Sequence, residues 1–397
     1  MSIFLYGATG FTGTLIARGL RAEGFDLILS GRDRLRLEDL ARDLEAQPSP
    51  ASGTIELRPA RLSDPAALVE AVGDATLIVG CAGPFARVGA PLVEAALAAH
   101  VPYMDIAGEP AFLREVYERH ESEARHEQVL IVSGMAFEIA LGDFGAHLAA
   151  RALAGEQVLG PATADDPSHL EVEDSPVAAI DEIAVAYALN RFRTSAGTRM
   201  TAGDSLSGPS FVWVGDRWDP IAPLSERRLV DFGHQVGERS TLSFPSGEVI
   251  TVPRHVHARR VQTYLSLLDT GPMGDALTRV ASFLSPVVPS LFRSTLGAQI
   301  QAQVNAPPPS ADDRKFASFA ISCEARRGYE RARMIFTGND PYGLTAAIAC
   351  WSATDLHQRS LAGTLPSGVR APAEVFLAEH AIDAIRARWR LDVYRSF

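Results

Sequence analysis

Lysine is almost absent from this chain of 397 residues: Lys315 is the only one, and every other basic residue is an arginine. Arginine keeps its proton at working pH and cannot serve as a Schiff-base amine. Unless Lys315 is that one residue, the composition excludes amine-based covalent catalysis and pyridoxal chemistry. Any anion bound here is expected to be held by arginine or by backbone N–H groups.

Cysteine and long apolar runs are also scarce. Cys81, Cys323 and Cys350 lie far apart and form no zinc pattern or secreted disulfide framework, so we predict no metal site. No stretch approaches the ~20 uninterrupted apolar residues of a membrane-spanning helix. The first residues, MSIFLYGATG, lack the charged and apolar regions of a signal peptide. These absences favour a soluble protein of a reducing cytoplasm.

Positive charge is in the minority, because 37 basic residues stand against 48 acidic ones and leave a net charge of −11. That balance makes nucleic acid an unfavourable partner. The hydrophobic fraction of 47% is typical of a globular protein. At ~100–200 residues per domain, the length predicts two domains.

Strand-like and helix-like patterns alternate through the first third of the chain. Six short apolar runs predict strands, at 2–6, 26–30, 54–60, 75–80, 101–106 and 129–133. Apolar strands separated by helices indicate a parallel sheet covered on both faces. With right-handed crossovers, they predict an α/β fold with a Rossmann-type doubly wound parallel sheet over residues 1–145.

The pattern changes after about residue 145. Alternating segments predict strands at 211–214, 248–252 and 315–325, and helical patterns follow at 342–356 and 373–388. We therefore expect a second α+β domain with a mainly antiparallel sheet over 146–340, shaping the substrate pocket or a dimer contact, and C-terminal helices over 341–397.

Glycines at three positions carry the strongest chemical signal: Gly7-Ala8-Thr9-Gly10-Phe11-Thr12-Gly13 lies between a predicted strand and a predicted helix. In a dinucleotide-binding turn, the first glycine permits the tight turn and the second lets the backbone approach a pyrophosphate. The third permits close packing of helix on strand. The helix N-terminus offers free N–H groups to the anion. The GxxGxxG spacing is associated with extended NADP-type folds.

The end of the second strand predicts which cofactor binds. NAD enzymes usually place an acidic residue there, on the ribose diol, whereas this chain has Ser30 and then Arg32, which could pair with a 2′-phosphate. We therefore predict NADP(H), with Ser30 and Arg32 in its site. Asp33 leaves NAD open as the alternative.

Residues 77–109, together with the glycine loop, resemble the saccharopine dehydrogenase-like reductases, which include trans-acting enoyl reductases. The residues that carry the likeness are Cys81, Gly83, Pro84, Phe85, Tyr103, Asp105, Gly108 and Glu109. It covers residues 1–145 well and later segments patchily, at 193–201 and 340–347. It implies closing helices that return to the nucleotide domain. In 136–143 this chain departs from the family pattern, with Glu138 in place of an aspartate, so the substrate is not carried over.

Ligands of an open parallel sheet bind beyond the carboxyl ends of its strands. Four residues after the predicted fourth strand would flank the nicotinamide ring and ribose: Cys81, Ala82, Gly83 and Pro84. Tyr103 or Asp105 is the first candidate proton donor, and Glu138 is the second. Tyr103 and Asp105 share one strand face, which also suits a purely structural hydrogen bond.

Other groups have a functional and a structural interpretation. Cys81 is a nucleophile or a packed thiol, and His255 with His257 forms a metal face or a packed or solvated pair. For the arginines of 191–193 and 326–327, the functional interpretation is a clamp for a substrate anion, and the structural one is a set of surface charges. The apolar segment 276–296 is a subunit contact, the lip of a pocket, or a buried core helix plus loop, of which we favour the last.

The resemblance implies an NADPH-dependent oxidoreductase that transfers hydride to a C=C (enoyl) or C=N bond of a small or lipophilic substrate, free or bound to a carrier. An opine- or saccharopine-type imine reductase is the alternative within that class. A non-catalytic NADP-binding regulator and a redox-neutral isomerase are alternatives outside it. A homodimer is left open.

Overall fold

The computed structural model describes residues 2–46, 53–156, 158, 180–208, 210–266, 272–293 and 307–396. Within these ranges no helix is both long enough and apolar enough to cross a membrane.

Seven parallel strands form the first sheet of the described chain, in the order β15-β6-β5-β4-β1-β2-β3. They are β1 (Ser2–Tyr6), β2 (Asp26–Ser30), β3 (Ile55–Leu57), β4 (Leu77–Gly80), β5 (Tyr103–Asp105), β6 (Leu130–Val132) and β15 (Gly368–Arg370). The first six coincide with the predicted strands, with shorter ends for β3 to β6. The chain order reverses beside β1, which is where a doubly wound sheet opens a crevice for a ligand.

Helices cover both faces of this sheet. They are α1 (Phe11–Ala22), α2 (Arg34–Glu45), α3 (Pro65–Val72), α4 (Phe85–Val88), α5 (Ala90–Ala99), α6 (Pro110–His126) and α7 (Phe137–Leu153). Side chains of β1 alternate between two apolar cores, with Ile3 and Leu5 in one and Phe4 and Tyr6 in the other. Asp64 caps α3, because its side chain accepts a hydrogen bond from the Ala67 N–H, and Pro65 occupies the first position of the helix.

The second sheet is mixed and has nine strands in the described residues. Seven follow the order β10-β11-β12-β7-β13-β14-β16, and β8 pairs with β12 and with β9. They are β7 (Glu182–Asn190), β8 (Phe211–Val214), β9 (Arg217–Pro220), β10 (Arg227–Asp231), β11 (Glu238–Ser243), β12 (Arg260–Ser266), β13 (Ser318–Arg327), β14 (Glu330–Asn339) and β16 (Leu391–Ser396). Only β12 and β7 pair in parallel among these strands, so the mainly antiparallel sheet is confirmed.

The remaining helices join the two sheets and close the chain. They are α8 (Ala196–Ser207), α9 (Glu248–Thr251), α10 (Pro272–Phe283), α11 (Val288–Arg293), α12 (Ala311–Phe316), α13 (Pro341–Ala362), α14 (Pro372–Val375) and α15 (Ala378–Arg388), with 3-10 turns at Val252–Arg254 and Ser285–Val287. The C-terminal segment divides between the sheets, since β15 extends the first and β16 extends the second.

Two expectations for this region are wrong. Residues 248–252 form α9 and the start of a 3-10 turn instead of a strand. A short apolar run fits a buried helix as well as a strand, and here Pro253 lacks the N–H that a strand ladder needs. The described part of the segment 276–296 is not a buried core element either, because Val280, Phe283, Leu284 and Val287 are exposed on it, and residues 294–296 lie outside the described residues.

Candidate active site

The glycine loop, residues 7–13, packs closely against the loop that follows β4. Gly7 has a φ of +81°, and a Cβ placed on it would lie 2.7 Å from the Ala82 backbone nitrogen. A Cβ on Gly13 would lie closer than 3.0 Å to the carbonyl oxygen of Gly7. Both positions therefore require glycine, which lets α1 start directly above β1.

The N-terminus of α1 is left open toward the crevice. Its N-cap residue, Gly10, offers no side chain to cap the helix. The Thr14 hydroxyl donates to the Ala8 carbonyl oxygen over 3.1 Å and so braces the loop from inside. The first N–H groups of a helix attract anions because they lack intrahelical acceptors. The loop and helix therefore fit the pyrophosphate of a dinucleotide.

The three polar residues at the end of β2, which are Ser30, Arg32 and Asp33, have different environments. Ser30 is buried and its hydroxyl donates to the Arg58 carbonyl oxygen over 2.7 Å. Asp33 accepts a hydrogen bond from the Arg36 N–H at the start of α2. Arg32 is exposed and has no ion pair within the described residues, while a Cβ on Gly31 would meet nothing within 4 Å. Open space beside an unpaired arginine fits a 2′-phosphate, and Asp33 is occupied as a helix cap.

The loop after β4 lies against the glycine loop. The Cys81 N–H donates to the Tyr6 carbonyl oxygen over 2.9 Å, and Pro84 precedes α4. Burial, and secondarily the fields of Cys350 and Asp105, raise the pKa of the Cys81 thiol above its ordinary range. A thiol that keeps its proton is a weak nucleophile, so the packed interpretation fits Cys81 better.

Tyr103 and Asp105 form a buried hydrogen-bonded pair. The Tyr103 hydroxyl donates to Asp105 Oδ2 over 2.9 Å. Asp105 also accepts from the N–H groups of Ala107 and Gly134 and from the Ser133 hydroxyl. Burial raises the pKa of Asp105 to about 6 despite these donors. This carboxyl therefore ties the loop after β5 to the loop after β6.

Glu109 is a second buried carboxyl, and sequence reasoning gave it no role. Its Oε1 accepts from the Phe85 N–H over 2.8 Å and from the Thr201 hydroxyl over 3.1 Å. Its Oε2 accepts from the Gly108 N–H over 3.1 Å. Glu109 thus joins α4, the loop after β5 and α8. In the sequence, Glu109 was marked only by its place at the end of the family-like motif 103–109.

Helix α8 spans from the second sheet across these loops. Asp204 forms an ion pair with Arg87 of α4. At the other end, the Tyr342 hydroxyl accepts from the Ser195 N–H over 2.7 Å and lies 2.8 Å from the Thr198 hydroxyl. Together with the Glu109 contact, these bonds hold α8 at three points along the crevice.

Glu138 lies at the N-terminal end of α7, just after β6. Its Oε1 would be 3.1 Å from a Cβ on Gly108, so the carboxyl faces the loop after β5. Burial and, less strongly, the charge of Glu109 raise the pKa of Glu138 from 4.5 to about 7. A half-buried carboxyl that titrates near neutrality is able to donate a proton at physiological pH.

Four of the other residues singled out in the sequence, which are His255, Arg193, Arg326 and Arg327, have acidic partners in the protein. His255 Nε2 lies 2.9 Å from Asp143 Oδ1, while His257 is exposed, and the described residues hold no cluster suited to a metal. Arg193 pairs with Asp313. Arg326 and Arg327 pair with Glu182 and Glu330. Protein carboxylates are therefore the partners of these three arginines.

Comparison with known proteins agrees with this geometry. Residues 3–132 match the family model of the saccharopine dehydrogenase NADP binding domain. A putative trans-acting enoyl reductase of Mycobacterium tuberculosis is 33% identical over 147 residues, which are 36% of this chain and 34% of that protein. A lipid droplet localized protein of Caenorhabditis elegans is 25% identical over 149 residues, 36% of this chain and 35% of that protein. The alignments thus span about a third of these relatives.

A solved structure shares the fold along the whole chain. It is apo saccharopine dehydrogenase (L-Glu forming) from Saccharomyces cerevisiae, with a TM-score of 0.60 and 10% identity, covering 100% of this chain and 99% of that one. This match confirms the predicted fold class, and the family model confirms the prediction of an NADP-binding domain. The cytoplasmic location stays a prediction. Residues 3–132, with their glycine loop and parallel sheet, are therefore similar to the saccharopine dehydrogenase NADP binding domain, and the chain shares its overall fold with the solved enzyme.

Proposed function

We propose that this protein is an NADPH-dependent reductase that adds hydride to a C=C or C=N bond of a small or lipophilic substrate. The observation that carries the proposal is Glu138, a half-buried carboxyl at the carboxyl end of the nucleotide-binding sheet whose pKa is raised to about 7. Bound NADPH supplies the hydride, so the protein has to position the acceptor and deliver a proton.

Each part of the crevice has a role in this proposal. N–H groups of the loop 7–13 hold the pyrophosphate, and Arg32 holds the 2′-phosphate. Tyr103 and Asp105 are positioning residues, because all their polar contacts are to protein groups that shape the loops after β5 and β6. Glu138 donates the proton to the substrate atom that develops negative charge.

Charge around the crevice favours a substrate without several carboxylates. Asp105, Glu109 and Glu138 are acidic, whereas Arg193, Arg326 and Arg327, which could clamp a diacid, pair with protein carboxylates. An opine-type substrate needs converging cations to offset its carboxylates. The contacts therefore support a less polar C=C or C=N substrate over the opine alternative.

A direct assay tests the proposal. Binding of NADPH and of NADH is measured by fluorescence, and NADPH oxidation is then followed with enoyl thioesters, with keto acid and amine pairs, and with ketones. We expect turnover with at least one C=C or C=N substrate, and its loss in Glu138→Gln with NADPH affinity unchanged. Tight NADPH binding without oxidation by any of these classes would overturn the reductase in favour of a non-catalytic binder.

A further inference from the structure

Glu248 is a buried carboxyl without a partner. It is the first residue of α9, is fully shielded from solvent, and has no hydrogen-bond partner for either carboxyl oxygen among the described residues. Burying an acid in this way costs free energy unless the group stays neutral. Neither the packing of α9 nor the proposed reaction explains why a buried carboxyl stands at this position.

The carboxyl of Glu248 lies against the same helix that carries Glu138. A Cβ on Gly142 of α7 would be 2.5 Å from Glu248 Oε1 and 2.7 Å from the Tyr187 hydroxyl. Glu138 is one helical turn before Gly142, and residues four apart share one face of a helix. Gly142 therefore leaves space for the Glu248 carboxyl on the face of α7 that carries Glu138, whose charge acts on it. Tyr187 closes it from β7 by donating to the Glu138 carbonyl oxygen over 3.1 Å.

A row of titratable groups continues from Glu248 along α7. Asp143 follows Gly142 and lies 2.9 Å from His255 Nε2. His255 Nδ1 lies 3.2 Å from His147 Nδ1, and His147 is partly exposed. These titratable groups are therefore distributed along α7 from Glu138, through the buried Asp143, to the partly exposed His147.

Acidic groups surround Glu248 on several elements. Glu138 and Asp143 face it from α7, Tyr187 from β7 and Cys323 from β13. No arginine pairs with it in the described part of the chain. Burial raises the pKa of Glu248 well above its ordinary range, and the charges of Glu138 and Asp143 add to the effect. Its surroundings therefore favour the neutral carboxylic acid form of Glu248.

We propose that Glu248 is a proton reserve for Glu138 and that Asp143, His255 and His147 refill it from solvent. The inference rests on the proposed function, in which Glu138 protonates the substrate. The O–H bond of Glu138 breaks as a bond to the substrate forms. Glu248 shares no hydrogen bond with Glu138 in this structure, so a rotation of its side chain over Gly142 has to bring its O–H to the Glu138 carboxylate before the proton passes. The reverse rotation returns Glu248 toward Asp143, through which a solvent proton entering at His147 restores it. One proton enters for each one delivered, and no redox change occurs along the row.

Infrared spectroscopy tests the proposal without any substrate. A protonated carboxylic acid has a carbonyl stretch that carboxylates lack, and the band of Glu248 is identified by its disappearance in Glu248→Gln. We expect that band at neutral pH in the wild-type protein. If Glu248→Gln removes no protonated-carboxyl band, the reserve is overturned, whether or not the protein proves to be a reductase.

The refilling path has its own readout in the same spectra. Transfer to D2O shifts the Glu248 band at the rate at which its proton exchanges. We expect His147→Ala to slow that shift by about tenfold, below the 10²–10⁴-fold contribution of a general acid, and imidazole in the buffer to restore it. His257→Ala is the control, because His257 is exposed next to the row and not part of it. An unchanged exchange rate in His147→Ala, or equal slowing in His257→Ala, would overturn the path.

Turnover separates a reserve from a merely structural group. With a substrate accepted in the reductase assay, Glu248→Gln should keep the rate of the first turnover, since Glu138 still carries its own proton, and lose steady-state rate. An equal loss in both phases, together with a lower stability, would assign Glu248 a structural role and contradict the inference.

Discussion

The ring of Tyr342 stands edge-on to the ring of Phe11, with the two centroids 4.9 Å apart. Phe11 belongs to the glycine loop, and Tyr342 opens the long C-terminal helix α13. The same tyrosine stacks on Phe192 and accepts the Ser195 N–H, so it joins the nucleotide loop to the second sheet and to α8. Geometry at the cofactor crevice therefore depends on residues from the far end of the chain.

Tyr342→Phe should destabilise the protein by about 1–3 kcal/mol, because it keeps the ring contacts and leaves the buried Ser195 N–H without its acceptor. Urea unfolding followed by circular dichroism measures the change. Tyr329→Phe is the matched control, since Tyr329 is fully exposed and should give no shift. Equal midpoints for Tyr342→Phe and the wild-type protein would show that the hydroxyl does not hold α8.

Gly13→Ala should abolish NADPH binding, because the added Cβ would lie closer than 3.0 Å to the Gly7 carbonyl oxygen and force the loop away from α1. Titration of NADPH fluorescence checks this, with circular dichroism to verify folding. Gly31→Ala is the control for the cost of a new methyl group, since it meets nothing within 4 Å and should leave stability unchanged. Wild-type affinity in Gly13→Ala would refute the tight turn.

Arg32→Ala should weaken NADPH binding by about tenfold or more and leave NADH binding nearly unchanged, because a charge-assisted hydrogen bond contributes about 1.5–3 kcal/mol. Parallel fluorescence titrations with the two cofactors measure the ratio. Arg34→Ala is a suitable control, as Arg34 is exposed nearby and pairs with Glu38. Equal losses for both cofactors would contradict the 2′-phosphate role.

The rate of NADPH oxidation should be high at low pH and fall as the pH rises through about 7, the pKa of Glu138, because only the protonated acid donates. Glu138→Gln should remove that limb and lower the rate by about 10²–10⁴-fold. The pH dependence of kcat/KM measures both effects. If kcat/KM of Glu138→Gln still falls as the pH rises through about 7, the titrating group is not Glu138.

The same carboxyl should make stability depend on pH. Its pKa in the folded protein is about 7 and its ordinary value is 4.5, so the folded state holds the proton more tightly than the unfolded state. The contribution of Glu138 to stability is therefore present below pH 4.5 and is lost as the pH rises to about 7. Glu138→Gln should flatten this part of the stability curve in urea unfolding at a series of pH values.

Local pattern was sufficient to predict six of the seven strands of the first sheet. Its strands are short apolar runs between helix signals, and caps such as Asp64 and turns such as Gly7–Gly13 depend on residues close in sequence. The likeness of 77–109 to a known family added the loops beyond β4 and β5. The 2′-phosphate role of Arg32 stays a prediction, based on its position after the end of β2.

The sequence by itself thus determined six strands of the nucleotide-binding sheet, its glycine turn and the cofactor class, because apolar runs, turn glycines and strand ends are visible in local sequence patterns. Only the tertiary structure decided that 248–252 is helical, that β15 and β16 enter different sheets, and that Glu248 lies on Gly142 beside Glu138. These features depend on packing between segments distant in sequence, and the free energy of such contacts has no signature in local periodicity.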